Sequence, residues 1–181
     1  GIVDAVSESL KRHEKALRLV VDPVMVAATG ASLLEQDAVE AVRLRLLPLA
    51  LVATPNLMEA AALVDRPVES EEQALEAGRL IRELGPDWVV VKGGHGHGPE
   101  STDLVVGPDG FVERLSAPRL STRHTHGTGC SFAAALCAGL AHGLEVPQAA
   151  AQAKKWLSGA IENAYPVGRG FGPVHHFHRL W

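Results

Sequence analysis

Apolar residues recur along the chain with two different periods, and each change of period marks an element. Between Ile2 and His13, Val3, Val6 and Leu10 fall at helical spacing among charges, whereas Leu17-Arg18-Leu19-Val20-Val21 is a short apolar run that predicts a buried strand. Asp37 to Leu47 returns to helical spacing with Val39, Val42 and Leu46 on one face, and Pro48 is expected to end it. Leu49 to Ala53 predicts a second strand. Ser70 to Leu84 carries Ala74, Ala77, Ile81 and Leu84 on one stripe, stops at Gly85-Pro86, and is followed by a third predicted strand over Trp88 to Val91. Thr102 to Val106 and Phe111 to Leu115 flank Gly107-Pro108-Asp109-Gly110, the pattern of a β-hairpin. A helix opening near Cys130 runs to about His142-Gly143. Glu145 to Ala164 supplies a last one, with Ala149, Ala153, Trp156, Ala160 and Ala164 on one stripe. The glycine- and aromatic-rich tail from Tyr165 to Trp181 has no helical period and is expected to lie across the sheet ends as an ordered cover.

Helices alternating with short apolar strands predict an α/β fold with a mostly parallel sheet. Two successive strands without a helix between them predict an antiparallel edge. At 181 residues, 1–181 reads as one domain, and few aromatics beside many alanines, valines and leucines suit helices packed on a sheet. A net charge of −4 predicts no nucleic-acid partner and no anionic membrane. No run reaches membrane-spanning length, and no signal-peptide pattern is present. Cys130 and Cys137, the two cysteines, lie two turns apart on one predicted helix, too far for a disulfide, so a reducing, cytoplasmic location is expected.

Candidate chemistry gathers where the predicted strands end. Asp22 stands at the first strand's carboxyl end, where open α/β sheets bind ligands, although an Asp before Pro23 also serves simply to start a turn. After the second strand, Asn56 and Glu59 have the spacing of a helix capping box; the same placement presents an amide and a carboxylate to a ligand. Lys92 opens the glycine-rich run after the third strand and could face a polyphosphate, or snorkel as an ordinary lysine. In His126-Gly127-Thr128-Gly129-Cys130, two glycines let successive N–H groups face one hollow at a helix start, which makes an anion pocket, with Cys130 in the first turn beside it. The ordinary alternative is a turn capping a buried helix. Histidines crowd at His95 and His97, at His124 and His126, and at His175, His176 and His178, but nothing completes a zinc set. Val26 to Ser32 reads as a loop.

Five blocks in order carry a resemblance: Val21 to Met25, Thr54 to Ala60, Val91 to His95, His126 to Cys130 and Gly172 to His178. Together they make the chain similar to the hydroxymethylpyrimidine/phosphomethylpyrimidine kinases of thiamine biosynthesis. The resemblance implies a ribokinase-like three-layer α/β/α sandwich, truncated at its N-terminus because the family's opening strands and lid would precede Gly1. It implies ATP as co-substrate, Mg²⁺, a small pyrimidine substrate and a homodimer. Gly127, Thr128, Gly129 and Cys130 would form the catalytic anion hole; Asn56, Glu59 and Lys92 would serve the nucleotide, Asp22 and Glu59 the metal, and Val24 with Cys130 the pyrimidine. Truncation further implies that the full gene product is the active kinase, and that these residues alone bind nucleotide weakly and do not turn over the pyrimidine. Readings kept open are a pyridoxal kinase of the same superfamily, a sugar or nucleoside kinase, a non-catalytic nucleotide-binding module and, from another class, a cysteine hydrolase built on Cys130 and His126.

Overall fold

Alternation of side chains across the strands gives the sheet two apolar faces. In β3 (Trp88–Val91), Val89 and Val91 enter one core while Val90 enters the other; Ala53 and Val52, then Leu104 and Val105, divide the same way. The computed structural model describes residues 1–13, 17–25, 36–94 and 98–180. Strands β1 (Val20–Val21), β2 (Val52–Ala53), β3, β4 (Glu100–Val106) and β5 (Val112–Pro118) form one sheet in the order β1-β2-β3-β4-β5. The first three run parallel and β4 and β5 add antiparallel pairings, as the hairpin pattern predicts. Helices α2 (Gln36–Ala41), α3 (Leu57–Val64) and α4 (Glu71–Glu83) cover one face, and α5 (Thr128–Ala141) and α6 (Val146–Glu162) the other. This is the expected three-layer α/β/α arrangement. No helix among the described residues is long and apolar enough to cross a membrane.

Three local expectations are corrected. The helix expected over Asp37 to Leu47 is α-helical only to Ala41, widens into a π turn over Val42–Leu46 and tightens into a 3₁₀ turn, Leu47–Leu49, that contains Pro48. Proline cannot donate to the carbonyl four residues back, so the preceding turns rewind, and the Leu47 N–H reaches the Val42 carbonyl instead. That turn occupies the start of the expected second strand, and β1 is likewise shorter than Leu17–Val21: the Leu51 and Val52 N–H groups both donate to the Leu19 carbonyl, so regular pairing begins only at Val20. In α1 (Ile2–Lys11), Val6 is 44% exposed and Ser7 is buried in its place. The Ser7 hydroxyl is satisfied by the Val3 carbonyl at 2.8 Å, which lets a polar residue take an inward position. The expected loop over Val26 to Ser32 lies outside the described residues.

Gly85, which ends α4, has φ +126°, and a Cβ there would stand 2.5 Å from the Pro48 Cα. Gly94 has open space around it. Gly85→Ala is expected to lower stability by about 1–3 kcal/mol in urea unfolding, with Gly94→Ala unchanged; equal midpoints for the two variants would contradict this account.

Candidate active site

Because β1, β2 and β3 are parallel, the residues that follow them emerge at one edge of the sheet. Asp22 follows β1, Thr54-Pro55-Asn56 follow β2 and Lys92 follows β3, with the Lys92 N–H donating to the Pro55 carbonyl at 2.8 Å. The Lys92 ammonium donates to Asp22 Oδ1 at 2.7 Å and the Thr54 hydroxyl to the same oxygen at 2.9 Å. Both side chains of the ion pair are mostly withdrawn from water, at 13% and 14% exposure. Lys92 is therefore held in place rather than snorkelling into solvent.

The capping box is complete. Asn56 Oδ1 accepts the Glu59 N–H at 2.9 Å and Glu59 Oε2 accepts the Asn56 N–H at 2.8 Å, which starts α3 at Leu57. Glu59 is also buried, at 3% exposure. Burial pushes its carboxyl pKa up, opposed by the Asn56 N–H and the Lys92 ammonium; the neighbouring Asp22 carboxylate adds to the rise, and the Met25 N–H opposes it. Asp22, Glu59 and Lys92 thus share one electrostatic neighbourhood.

The start of α5 meets this cluster through Gly129. A Cβ on that residue would lie 3.3 Å from Lys92 Nζ and 3.8 Å from Asp22 Oδ2, so the missing side chain lets the helix end approach both charges. Gly127 turns the chain at φ +84° and no side chain caps the helix. The Ser131 N–H returns to the Gly127 carbonyl at 2.9 Å, and that of Thr128 reaches the Thr125 carbonyl at 3.3 Å. The N–H groups of Gly129 and Cys130 have no acceptor among the described residues. Two unpaired donors and the positive helix end therefore lie beside a lysine, an arrangement that attracts an anion.

Cys130 is exposed and opens on a groove of about 940 Å³ between α5 and α6, lined also by Ser131, Ala134, Trp156 and His176. Val24 is 41% exposed. The structure thus gathers Asp22, Asn56, Glu59, Lys92 and Gly129, and leaves Val24 and Cys130 on the open margin. Thr54 was missed from sequence, where its only signal is a hydroxyl at a strand end. The C-terminal tail was expected over the sheet ends; it runs beside the segment that enters α5, with the His126 N–H on the Gly172 carbonyl at 3.1 Å and Ser131 Oγ 2.9 Å from His176 Nε2. His95 and His97 lie outside the described residues. No group of three potential metal-binding side chains occurs among those described.

Glu59 supplies a pH test. A carboxyl whose folded-state pKa is raised binds its proton more tightly folded than unfolded, so its contribution to stability declines as pH rises from the ordinary value of 4.5 through the folded value. Glu59→Gln keeps an acceptor for the Asn56 N–H and is expected to remove that decline. Urea unfolding at a series of pH values from 4.5 upward checks it; parallel curves for the two proteins would reject the buried-carboxyl account.

Comparison with known proteins shows the family to which this fold belongs. The family described as phosphomethylpyrimidine kinase matches residues 1–175. A hydroxymethylpyrimidine/phosphomethylpyrimidine kinase of Rhizobium meliloti is 49% identical over 99% of this chain and 67% of its own length. The kinase of the same name from Salmonella typhimurium is 44% identical over 99% and 68%. Among solved structures, the ADP complex of Bacillus subtilis pyridoxal kinase superposes with a TM-score of 0.91 at 32% identity, covering 99% of this chain and 67% of that one. The chain spans about two thirds of the length of these relatives. With a ribokinase-like α/β/α sheet whose parallel strand ends face an uncapped helix start, and with matches of this extent, the chain belongs to the phosphomethylpyrimidine kinase family of phosphotransferases.

Proposed function

We propose that these residues form the larger part of an ATP-dependent kinase of thiamine biosynthesis that phosphorylates 4-amino-5-hydroxymethyl-2-methylpyrimidine and then its monophosphate. The observation that carries this reading is the uncapped start of α5, whose Gly129 and Cys130 N–H groups lack acceptors among the described residues, lying beside Lys92 at the sheet edge. Phosphoryl transfer asks a protein mainly to position the reactants and to neutralise charge spreading over three oxygens. Lys92 and the amides supply that neutralisation. The substrate hydroxyl oxygen bonds to the terminal phosphorus of ATP, the bond from that phosphorus to the bridging oxygen breaks, and ADP leaves with the electron pair. Cys130, in the first turn of α5, would receive the hydroxyl proton, and Val24 would line the pyrimidine ring.

Asp22 and Glu59 suit Mg²⁺ by donor chemistry, since both offer only oxygen. One or two carboxylates suffice for an ion that keeps several waters and takes its other ligands from phosphates. Magnesium, when bound, would neutralise phosphate charge. Asn56 orders the Glu59 side chain for that task through the reciprocal cap.

A pyridoxal-type ring is the second reading, favoured by the 0.91 superposition on a pyridoxal kinase. ATP consumption by the full-length gene product separates the two: faster turnover is expected with hydroxymethylpyrimidine and its monophosphate than with pyridoxal, and absence of pyrimidine-stimulated turnover refutes the proposal. Gly129→Val would push a methyl-bearing carbon against Lys92 Nζ and distort the amide cup. It is expected to lower kcat by roughly 100-fold with little change in melting temperature, and normal turnover per folded molecule would reject the anion-hole role.

A further inference from the structure

The peptide after Lys92 is gripped from two sides by groups that the proposed chemistry does not use. β3 pairs with β4 through Val91 opposite Leu104, so Gly93 emerges alongside Asp103 and Thr102 just beyond the last paired residue. There the Gly93 N–H donates to the Asp103 carboxylate, at 2.9 Å from Oδ1. The Gly93 Cα packs so closely on the Thr102 carbonyl that a side chain has no room. On the far side, the Arg119 guanidinium donates to the carbonyls of Gly93 and Gly94, at 3.4 and 2.7 Å.

Asp103 is itself buried, at 4% exposure, and its second oxygen takes the Lys154 ammonium from α6 at 3.0 Å. Lys154 is buried too, at 9%, and also donates to Ser101 Oγ at 3.2 Å. A buried ion pair is weak evidence of stabilisation, because desolvation of both partners offsets their attraction and apolar replacements are often as stable. What this pair does that leucine and methionine could not do is present a carboxylate oxygen to the N–H next to Lys92. A charge-assisted bond of this kind is short and directional. Asp22 holds the Lys92 ammonium at one end of its four-carbon stem, and the backbone at 92 and 93 anchors the other, so the two together set where the charge sits.

We propose that Asp103, held by Lys154, is a positioning residue that fixes the backbone beneath Lys92 and so the placement of its ammonium at the transferring phosphoryl group. The proposal rests on the kinase reading above. Its test uses a matched pair in the full-length gene product, Asp103→Asn/Lys154→Met and Asp103→Leu/Lys154→Met. Both lack the buried charges, and only the first keeps an acceptor for the Gly93 N–H.

The Asn/Met variant is expected to keep kcat within about threefold of wild type. The Leu/Met variant is expected to lose roughly 10- to 100-fold in kcat, in line with the cost of small misplacements, with KM for the pyrimidine unchanged and a similar melting temperature. Should the Leu/Met protein not fold, Asp103→Glu serves: it keeps both charges and displaces the oxygen by one methylene, and a lowered kcat at unchanged melting temperature is expected. Equal kcat in the two double variants, or kcat that simply follows melting temperature, overturns the positioning role. A wild-type protein that turns over none of the three substrates overturns the kinase reading instead.

Discussion

The ion pair between Lys92 and Asp22 is the contact on which the geometry of the site depends. The two residues are 70 positions apart and meet only because β1, β2 and β3 run parallel and end together. Pro55 and Asn56, between them in the sheet, carry the bridge to Lys92 and the cap of α3. The pair is partly open to water, so its worth as a stabilising contact is modest. Its structural consequence is larger: it concentrates one positive and one negative group where the next element, α5, begins.

The approach of α5 completes the arrangement and depends on side chains that are missing. Gly127 provides the left-handed turn and, having no side chain, leaves the first-turn amides uncapped; Gly129 removes the atom that would stand between the helix and Lys92. Such an end is costly to leave without partners in a buried place and favourable next to an anion, so the open edge and the unpaired amides belong together. The C-terminal tail secures this helix start from outside through His176 on Ser131 and the Gly172 backbone on His124 and His126. A buried second pair, Asp103 with Lys154, ties β4 and α6 to the peptide beside Lys92, so both helices of one layer, α5 and α6, bear on one lysine.

Local signals were legible where a few neighbouring residues settle the conformation. The Asn56/Glu59 box, the glycine turn that opens α5 and the hairpin around Gly107 to Gly110 all form as the sequence implies. Each involves partners within a handful of residues, so their chemistry is nearly independent of the rest of the fold. The π and 3₁₀ turns before β2 were not legible, although Pro48 signalled a disruption, because their shape answers to packing of Val42 and Leu47 into the first core. The inward Ser7 was hidden for a similar reason: its hydroxyl is satisfied by its own helix, and only the surroundings determine which face turns in.

Taken alone, the sequence determined which chemical groups end each strand, how the adjacent helices begin, and, through five ordered blocks, the family. The tertiary structure decided which atoms meet: Thr54 and Lys92 on one oxygen of Asp22, Gly129 against both charges, and Asp103 with Lys154 behind Gly93. The physical reason is separation along the chain. Period and capping act over a few residues, whereas a charge finds its distant partner only after parallel strand register and helix packing have fixed the positions of both.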